Sequence, residues 1–298
     1  MRRTRPGIVS PRALRSSAVG AVTLLVLIGC GGPVELHATI EQVLDAGPGR
    51  GSSAYRAPGV LVSHELGGAV LAHLTGVEDP PVPDGARDLE VLDAEGREVR
   101  VLTEDVDQGT AQGWGLYAVR EGAGAPPHLV VEVPHPRADL WTEDVGAELF
   151  ASLDAAALLV AGAHRTAGGN AADVAHQPTS AFATVDRAVV GPGTVVLQVH
   201  GFDESRHPGS AQVVLSSAES MPGTLVQELD DALEDAGFET CVYDGEQCHA
   251  LAGMTNVEAA HARSVGATFI HLELAEDLRR SGPVRQRLVD VLAHVLVD

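Results

Sequence analysis

The chain has 298 residues, with 20 Lys and Arg against 41 Asp and Glu, and its formal net charge is −21. All of the basic residues are arginines. This acidic balance disfavours nucleic acid as a partner and disfavours electrostatic attraction to anionic lipid. The length allows one large domain or two small ones.

The N-terminus predicts export from the cytoplasm. Five arginines precede the first acidic residue, and an apolar run at 18–28 follows them, too short for a transmembrane helix. The run ends in Leu27-Ile28-Gly29-Cys30, which resembles the lipobox of bacterial lipoproteins. We therefore expect 1–29 to be a lipoprotein signal peptide, and Cys30 to carry lipid that anchors the protein to a membrane of the cell envelope. An ordinary signal peptide that happens to contain a cysteine is the alternative.

The next part of the chain has weak secondary-structure signals. Residues 30–58 are rich in Gly, Pro, Ser and Ala, which predicts a tether and an irregular lead-in. Residues 59–110 form an N-terminal extension or a small cap of uncertain fold. Within them, 60–74 fits either a strand pair or a short helix, and 89–102 predicts a hairpin.

Residues 111–298 have a clear alternating pattern and are predicted to form the catalytic domain. Strands are expected at 114–120, 128–133, 158–161, 195–199, 212–215, 240–243 and 268–274, and helices at 143–155, 222–237, 256–264 and 283–297. Strands that alternate with helices indicate an α/β layered fold, in which helices flank a mixed, mostly parallel sheet.

Two further cysteines, Cys241 and Cys248, bracket a turn-like loop. In an oxidising compartment, a pair this close predicts a disulfide. A two-thiolate metal site is the weaker alternative, because no second cysteine pair accompanies it.

Polar residues at the ends of apolar strands predict a metal site. His135, His200 and Glu273 each occur where a predicted strand ends, and sites in α/β sheets form beyond the carboxyl ends of strands. Two imidazoles and one carboxylate are a usual ligand set for a hydrolytic zinc. His135 and His200 supply the imidazoles. The carboxylate is either Glu143, preferred because it opens a helix, or Asp139. Glu273 is predicted to be the general base.

A second pair of residues predicts substrate binding. Arg165 follows a buried strand and can clamp a substrate carboxylate, while Asp173 can orient Arg165 or a histidine. A surface ion pair is an equally good interpretation of both. The sequence contains no HExxH, GxSxG, GxGxxG or P-loop motif, so the commonest zincin, serine-hydrolase and nucleotide signatures are missing.

The order of these motifs over 113–280 resembles the zinc amidohydrolases of the phosphorylase/hydrolase-like fold. That group includes N-formylglutamate amidohydrolases, zinc carboxypeptidases and zinc-dependent N-acetylmuramoyl-L-alanine amidases. Glu143 looks like the amidase ligand glutamate, His200 like the second histidine and Glu273 like the catalytic glutamate. The segment around Arg165 and Asp173 is similar to the Ser-Arg and Asp-Leu-Asn-Arg segments of the formylglutamate enzymes.

The chain also departs from that group. Pro136 and Arg137 stand where the amidases have glycines, and Ala138 occupies the fourth position of the carboxypeptidase HxxE motif. The resemblance implies a zinc-dependent hydrolase of an amide bond, in a cell-wall peptide or an N-acyl amino acid, acting outside the cytoplasm. The alternative is a non-catalytic binding lipoprotein on the same fold. Ring nitrogens of His135 and His200 more than about 5 Å apart would exclude a shared zinc.

Overall fold

A nine-stranded mixed sheet organises the chain in our computed structural model, which describes residues 34–106 and 111–297. The predicted signal peptide and Cys30 lie outside the described residues. The strands are β1 (Ala86–Leu92), β2 (Glu98–Glu104), β3 (Leu116–Val119), β4 (Leu129–Val133), β5 (Ala157–Val160), β6 (Val195–Gly201), β7 (Val213–Ser216), β8 (Thr240–Val242) and β9 (Thr268–Leu274). Their order across the sheet is β1-β2-β3-β5-β4-β6-β9-β7-β8.

Eight helices pack on this sheet within the described part of the chain. They are α1 (Leu36–Ala46), α2 (Val60–Leu74), α3 (Thr142–Ser152), α4 (Ala181–Val189), α5 (Thr224–Asp235), α6 (Val257–Val265), α7 (Glu276–Arg280) and α8 (Gly282–Val297). The α/β class with a mixed sheet is thereby confirmed. Parallel pairing joins the central strands β5, β4, β6 and β9 and the edge pair β7–β8, whereas the other neighbours are antiparallel.

The two faces of the sheet have separate apolar cores, because successive side chains of a strand point to opposite faces. On β6, Leu197 and Val199 pack with α1, α3, α5 and α8, while Val196 packs with α2, α4 and α6. Gln198 and His200 come two and four positions after Val196 on the same strand, so their side chains point to the same face. The polar residues of β6 therefore lie on the side of α2, α4 and α6. The alternation therefore decides on which face a site can form.

The N-terminal region is more ordered than its composition indicates. The segment predicted to be a tether contains α1, whose Leu36, Ile40 and Val43 are buried at helical spacing. Residues 60–74 form one helix, which settles the alternative left open between a strand pair and a helix. The predicted hairpin is present as β1 and β2, and it extends the main sheet instead of forming a separate cap.

Two further features of the fold are a disulfide and the lengths of the helices. Cys241 and Cys248 form the predicted disulfide, next to the edge strand β8. None of the helices in the ranges that the structure describes is both long and apolar enough to cross a membrane.

The packing of α3 on β4 depends on one glycine. An added Cβ at Gly146 would collide with a methyl group of Val133, whereas Gly68, also inside a helix, has open space around its missing side chain. We expect Gly146→Ala to lower the free energy of unfolding by about 1–3 kcal/mol, since overpacking displaces the helix. Gly68→Ala should be neutral or stabilising by about 0.5–1 kcal/mol, because alanine favours helix. Denaturant unfolding of both variants measures this, and equal effects would contradict it.

Candidate metal centre

Three neighbouring parallel strands bring the predicted site residues to one edge of the sheet. His135 follows β4, His200 lies near the end of β6, and Glu273 lies near the end of β9. The pairing of β6 with β9 places His200 directly opposite Glu273. The carboxyl ends of β4, β6 and β9 therefore meet where the sequence predicts a site, as expected for an open α/β sheet.

Asp139 joins the two histidines because the chain turns sharply after β4. The backbone N–H of Asp139 donates to the carbonyl of His135 at 2.9 Å, which places residues i and i+4 on the same side of one turn. One carboxylate oxygen of Asp139, Oδ2, lies 3.6 Å from His135 Nδ1 and 3.5 Å from His200 Nδ1. The two Nδ1 atoms are 3.3 Å apart. These three atoms form a triangle of potential ligands.

Glu143, the carboxylate preferred from the sequence, does not belong to this triangle. Among the described residues, the group of close potential ligands around both histidines contains Asp139 and no other carboxylate. Glu143 lies in the first turn of α3, where burial raises its pKa to about 7. The preference for Glu143 is therefore replaced by Asp139, because the turn after His135 returns that side chain to the site before the helix begins.

Hydrogen bonds on the far side of each ring fix both histidine tautomers. His135 Nε2 lies 2.8 Å from Asp173 Oδ1, and a carboxylate can only accept there. His200 Nε2 lies 2.8 Å from Gln198 Oε1. Both Nε2 atoms therefore carry the hydrogen, and both Nδ1 atoms present lone pairs to each other and to Asp139. Outer partners of this kind orient the histidines of metal sites.

The orientation of the Gln198 amide is itself determined by its neighbours. Its Nε2 donates to Glu132 Oε2 at 2.8 Å, and its Oε1 also accepts from Asn256. Asn256 is oriented in turn because its Oδ1 caps α6 by accepting from the backbone N–H of Ala259. The oxygen of Gln198, and not its nitrogen, is therefore held toward His200.

The triangle fits a zinc ion. With bonds of about 2.0–2.2 Å, the ligand atoms of a tetrahedral zinc lie roughly 3.3–3.6 Å apart. The separations among His135, Asp139 and His200 are 3.3, 3.5 and 3.6 Å. Two neutral imidazoles and a carboxylate with converging lone pairs have no hydrogen to share, so a cation is the group that satisfies all three.

Protonation in the site favours cation binding. Burial acts to raise the pKa of Asp139, but attraction to His135 and His200, whenever either ring is protonated on the side of this carboxylate, outweighs it and holds that pKa well below its usual range. Burial lowers the pKa of His200 to about 4. At neutral pH the aspartate is therefore ionised and the His200 ring is neutral, which are the protonation states that a metal ligand requires.

Glu273 lies beside the triangle without belonging to it. Its Oε2 is buried and has no hydrogen-bond partner among the residues that the structure describes. Burial raises the pKa of Glu273 well above its usual range, and the charge of Asp139 raises it further. A buried carboxyl group whose affinity for a proton is raised in this way is a candidate for proton transfer. His271, on the same strand face, forms a second group of potential ligands with Glu273 and His200.

Arg165 and Asp173 meet at the metal site as well as with each other. Arg165 Nη2 donates to Asp173 Oδ2 at 3.0 Å, and Arg165 Nη1 lies 3.4 Å from His135 Nδ1. Asp173 thus orients a histidine with one oxygen and an arginine with the other. Both predicted orienting roles come together in one side chain.

A buried arginine that the sequence analysis did not identify ties the strand ends together. The guanidinium of Arg279 donates to the backbone carbonyls of Leu274, Phe202 and Leu140. Leu274 is the last residue of β9, whereas Phe202 and Leu140 follow β6 and β4. An added Cβ at Gly201 would overlap that guanidinium. The glycine after His200 is therefore required for Arg279 to reach the edge of the sheet.

A cavity of about 760 Å³ opens over this edge. His135, Asp139, His200, Glu273 and Arg165 all line it. Seven of the 13 histidines in the sequence are among its lining residues, so the histidines that look scattered along the chain converge here. Glu143 is not among the lining residues.

Gln198 is the supporting residue with the clearest signal in the sequence. It precedes His200 by two positions on the same strand, so both side chains point to one face. The signal is a polar residue inside an otherwise apolar strand, two positions before a candidate ligand. Asn256 and Arg279 have no such signal, because each reaches the site from a distant helix end.

No protein-family model and no curated protein matches the chain. Among solved structures, a zinc-free form of YndL is 14% identical over 60% of this chain and 88% of its own, with a TM-score of 0.43. A bacteriophage poly-gamma-glutamate hydrolase is 14% identical over 57% and 82%, with a TM-score of 0.40. An aspartoacylase family protein from Mesorhizobium loti is 13% identical over 70% and 68%, with a TM-score of 0.35. Identities of 13–14% and TM-scores below 0.5 are too low to transfer chemistry from these structures. The chemistry of this chain is therefore inferred from its own residues.

The two candidate carboxylates can be separated by metal binding. We expect Asp139→Asn to weaken zinc binding at least about 100-fold, because even outer partners of ligands contribute 10–100-fold. Glu143→Gln is the matched control and should keep the wild-type affinity. Competition titration with a chromophoric chelator measures both variants. A loss of zinc in Glu143→Gln with retention in Asp139→Asn would reverse the assignment.

The role of Gln198 is tested by removing its side-chain amide. Gln198→Met has a similar volume but leaves His200 Nε2 without a partner, so we expect zinc affinity to fall about 10–100-fold. Gln286→Met, on the exposed face of α8, serves as the control. Circular dichroism checks that both variants are folded. Unchanged zinc affinity in folded Gln198→Met would show that Gln198 does not orient His200.

Proposed function

We propose that this protein is a zinc-dependent hydrolase of an amide bond. The observation that carries the proposal is the triangle of His135 Nδ1, His200 Nδ1 and Asp139 Oδ2, whose sides of 3.3–3.6 Å match the ligand spacing of tetrahedral zinc. Both tautomers present lone pairs toward its centre. Three protein ligands leave a fourth position for a reactant, which is the arrangement of catalytic zinc sites.

The surrounding residues provide the other parts of a hydrolytic site. When bound, zinc supplies Lewis-acid polarisation of a carbonyl oxygen and of water at neutral pH. Glu273 accepts a proton at its unpartnered Oε2 from the attacking water and then donates it to the leaving nitrogen. Arg165, held by Asp173, binds a carboxylate of the substrate next to the reacting bond.

The size of the cavity supports a small substrate or a short peptide end. Its volume of about 760 Å³ lies in the range of small-molecule sites. The lining includes Arg165, which suits the carboxylate of an N-acyl amino acid or of a cell-wall peptide. We therefore extend the proposal to these two substrate classes.

The place of action is part of the same proposal. The lipobox-like segment that ends at Cys30 supports a lipid anchor on the outside of the cytoplasmic membrane or on another membrane of the envelope. The disulfide between Cys241 and Cys248 supports an oxidising compartment. A cell-wall peptide or a released N-acyl amino acid is available in that compartment.

The rival function is a non-catalytic binding lipoprotein on the same fold. That interpretation would be favoured if the ring nitrogens of His135 and His200 were more than about 5 Å apart. Their separation of 3.3 Å, together with the buried carboxyl of Glu273 beside them, supports the hydrolase instead.

Hydrolysis and metal content of the full-length chain test the proposal together. We expect about one zinc per chain and release of free amine from a panel of N-acyl amino acids and wall peptides. Glu273→Gln should keep its zinc and lose at least about 100-fold in kcat, since it cannot move a proton. Ninhydrin detection and elemental analysis provide the two measurements.

Glu276→Gln is the control for this experiment. It makes the same chemical change at an exposed residue of the cavity lining, three positions further along the chain, and should stay within about threefold of wild type. Absence of zinc after zinc has been supplied, or wild-type turnover in Glu273→Gln, would overturn the proposed mechanism.

A further inference from the structure

The loop that precedes α2 reaches the cavity and is fixed there by hydrogen bonds. The backbone N–H of His164 donates to the carbonyl of Pro48 at 2.9 Å, and that of Gly51 donates to Thr166 Oγ1 at 3.1 Å. Arg50 lies between these two contacts and lines the cavity. A part of the chain that was predicted to be a tether therefore contributes a cation to the site.

His164 has a buried hydrogen-bond donor with no acceptor in the described part of the chain. The backbone N–H and the hydroxyl of Thr166 both lie close to His164 Nδ1, at 3.2 and 3.0 Å. Because Thr166 Oγ1 accepts from Gly51, its hydrogen is free to donate to that nitrogen. The remaining hydrogen of the ring is then on Nε2, which is buried and unpartnered, in a residue only 5% exposed that lines the cavity.

The charges of three arginines act on His164, and two of these arginines have no ion pair among the described residues. Neither Arg50 nor Arg137 forms an ion pair within the described residues, whereas Arg165 is paired with Asp173. The guanidinium of Arg137 lies against Gly49, because Nη2 is 3.7 Å from the position of an added Cβ there. Burial lowers the pKa of His164, and the charges of Arg50, Arg137 and Arg165 lower it further. The imidazole is therefore neutral and keeps one N–H to donate.

We propose that Arg50, Arg137 and His164 form an anion-binding subsite that takes a second carboxylate of the substrate, apart from the one at Arg165. Two unpaired guanidinium groups and an orphaned N–H are donors that match carboxylate oxygens. In a chain with a net charge of −21, two arginines without an ion pair among the described residues, one lining the cavity and the other against the adjacent Gly49, are explained by an anionic ligand.

This inference rests on the proposed hydrolase function and narrows its substrate. An amide substrate with one carboxylate at Arg165 and another at the subsite is an acidic peptide or an N-acyl acidic amino acid. A substrate with a neutral group in place of the second carboxylate would leave the hydrogen-bond donors of the subsite unpaired and partly shielded from water. This cost disfavours neutral substrates.

Calorimetric titration of the full-length, zinc-loaded chain with propane-1,2,3-tricarboxylate and with propanoate tests the subsite. We expect the tricarboxylate to bind at least about tenfold more tightly than propanoate. Arg50→Met, Arg137→Met and His164→Phe should each weaken the tricarboxylate about 5–10-fold and leave propanoate unchanged. Arg280→Met, an exposed arginine outside the cavity lining, controls for net charge and should stay within about twofold.

Equal tricarboxylate affinity in wild type, Arg50→Met and Arg137→Met would overturn the subsite. Both arginines are at least partly exposed, so these two variants remain interpretable if His164→Phe fails to fold. Inorganic phosphate is titrated in parallel. Phosphate binding that is tighter than the tricarboxylate and lost in Arg50→Met would overturn the assignment to a carboxylate.

The same titration on zinc-free protein separates the two proposals. Tricarboxylate binding that depends on Arg50 and Arg137 in a protein that takes up no zinc would support the subsite while refuting the hydrolase. Zinc binding and amide hydrolysis with no effect of these substitutions on acidic or neutral substrates would support the hydrolase and refute the subsite.

Discussion

The tautomers of two histidines are the constraint on which the site depends. With hydrogens on both Nε2 atoms, given to Asp173 and Gln198, the lone pairs of His135 and His200 face each other across 3.3 Å. Neither can donate to the other, and the carboxylate of Asp139 adds further negative potential at the same point. A divalent cation at this point would relieve that repulsion, and the relief would favour its binding.

The sheet makes this arrangement possible because parallel strands align residues by register. Pairing of β4 with β6 and of β6 with β9 places Glu132, Gln198 and His271 in one row, and His200 beside Glu273 in the next. Supporting residues thus lie one pleat below the residues that they support. Arg279 then joins the three strand ends through their carbonyls, so the ligands are attached to a rigid edge and not to independent loops.

Strand-end polarity made part of the site predictable. His135 follows an apolar strand, His200 and Glu273 lie near the ends of two others, and that local pattern placed them correctly at one edge of the sheet. Glu143 was preferred over Asp139 because a helix start favours a carboxylate, but the turn that returns Asp139 to His135 depends on backbone geometry. Arg50 could not be found in this way, since its position comes from contacts with residues more than 100 positions later in the chain.

Behind the candidate metal ligands, the core contains carboxyl groups, although core positions are expected to be apolar. Glu132, Asp186 and Glu258 are almost fully buried, and burial together with their mutual repulsion raises the pKa of Glu132 and Glu258 well above the usual range. Protonated carboxyl groups avoid the cost of buried charge but keep their hydrogen-bonding capacity. Glu132 and Glu258 therefore hold the amide of Gln198 by hydrogen bonding and without adding charge near His200. Separate residues thereby orient His200 and supply the charge of the candidate metal site. Gln198 orients the ring, and Asp139 supplies the charge.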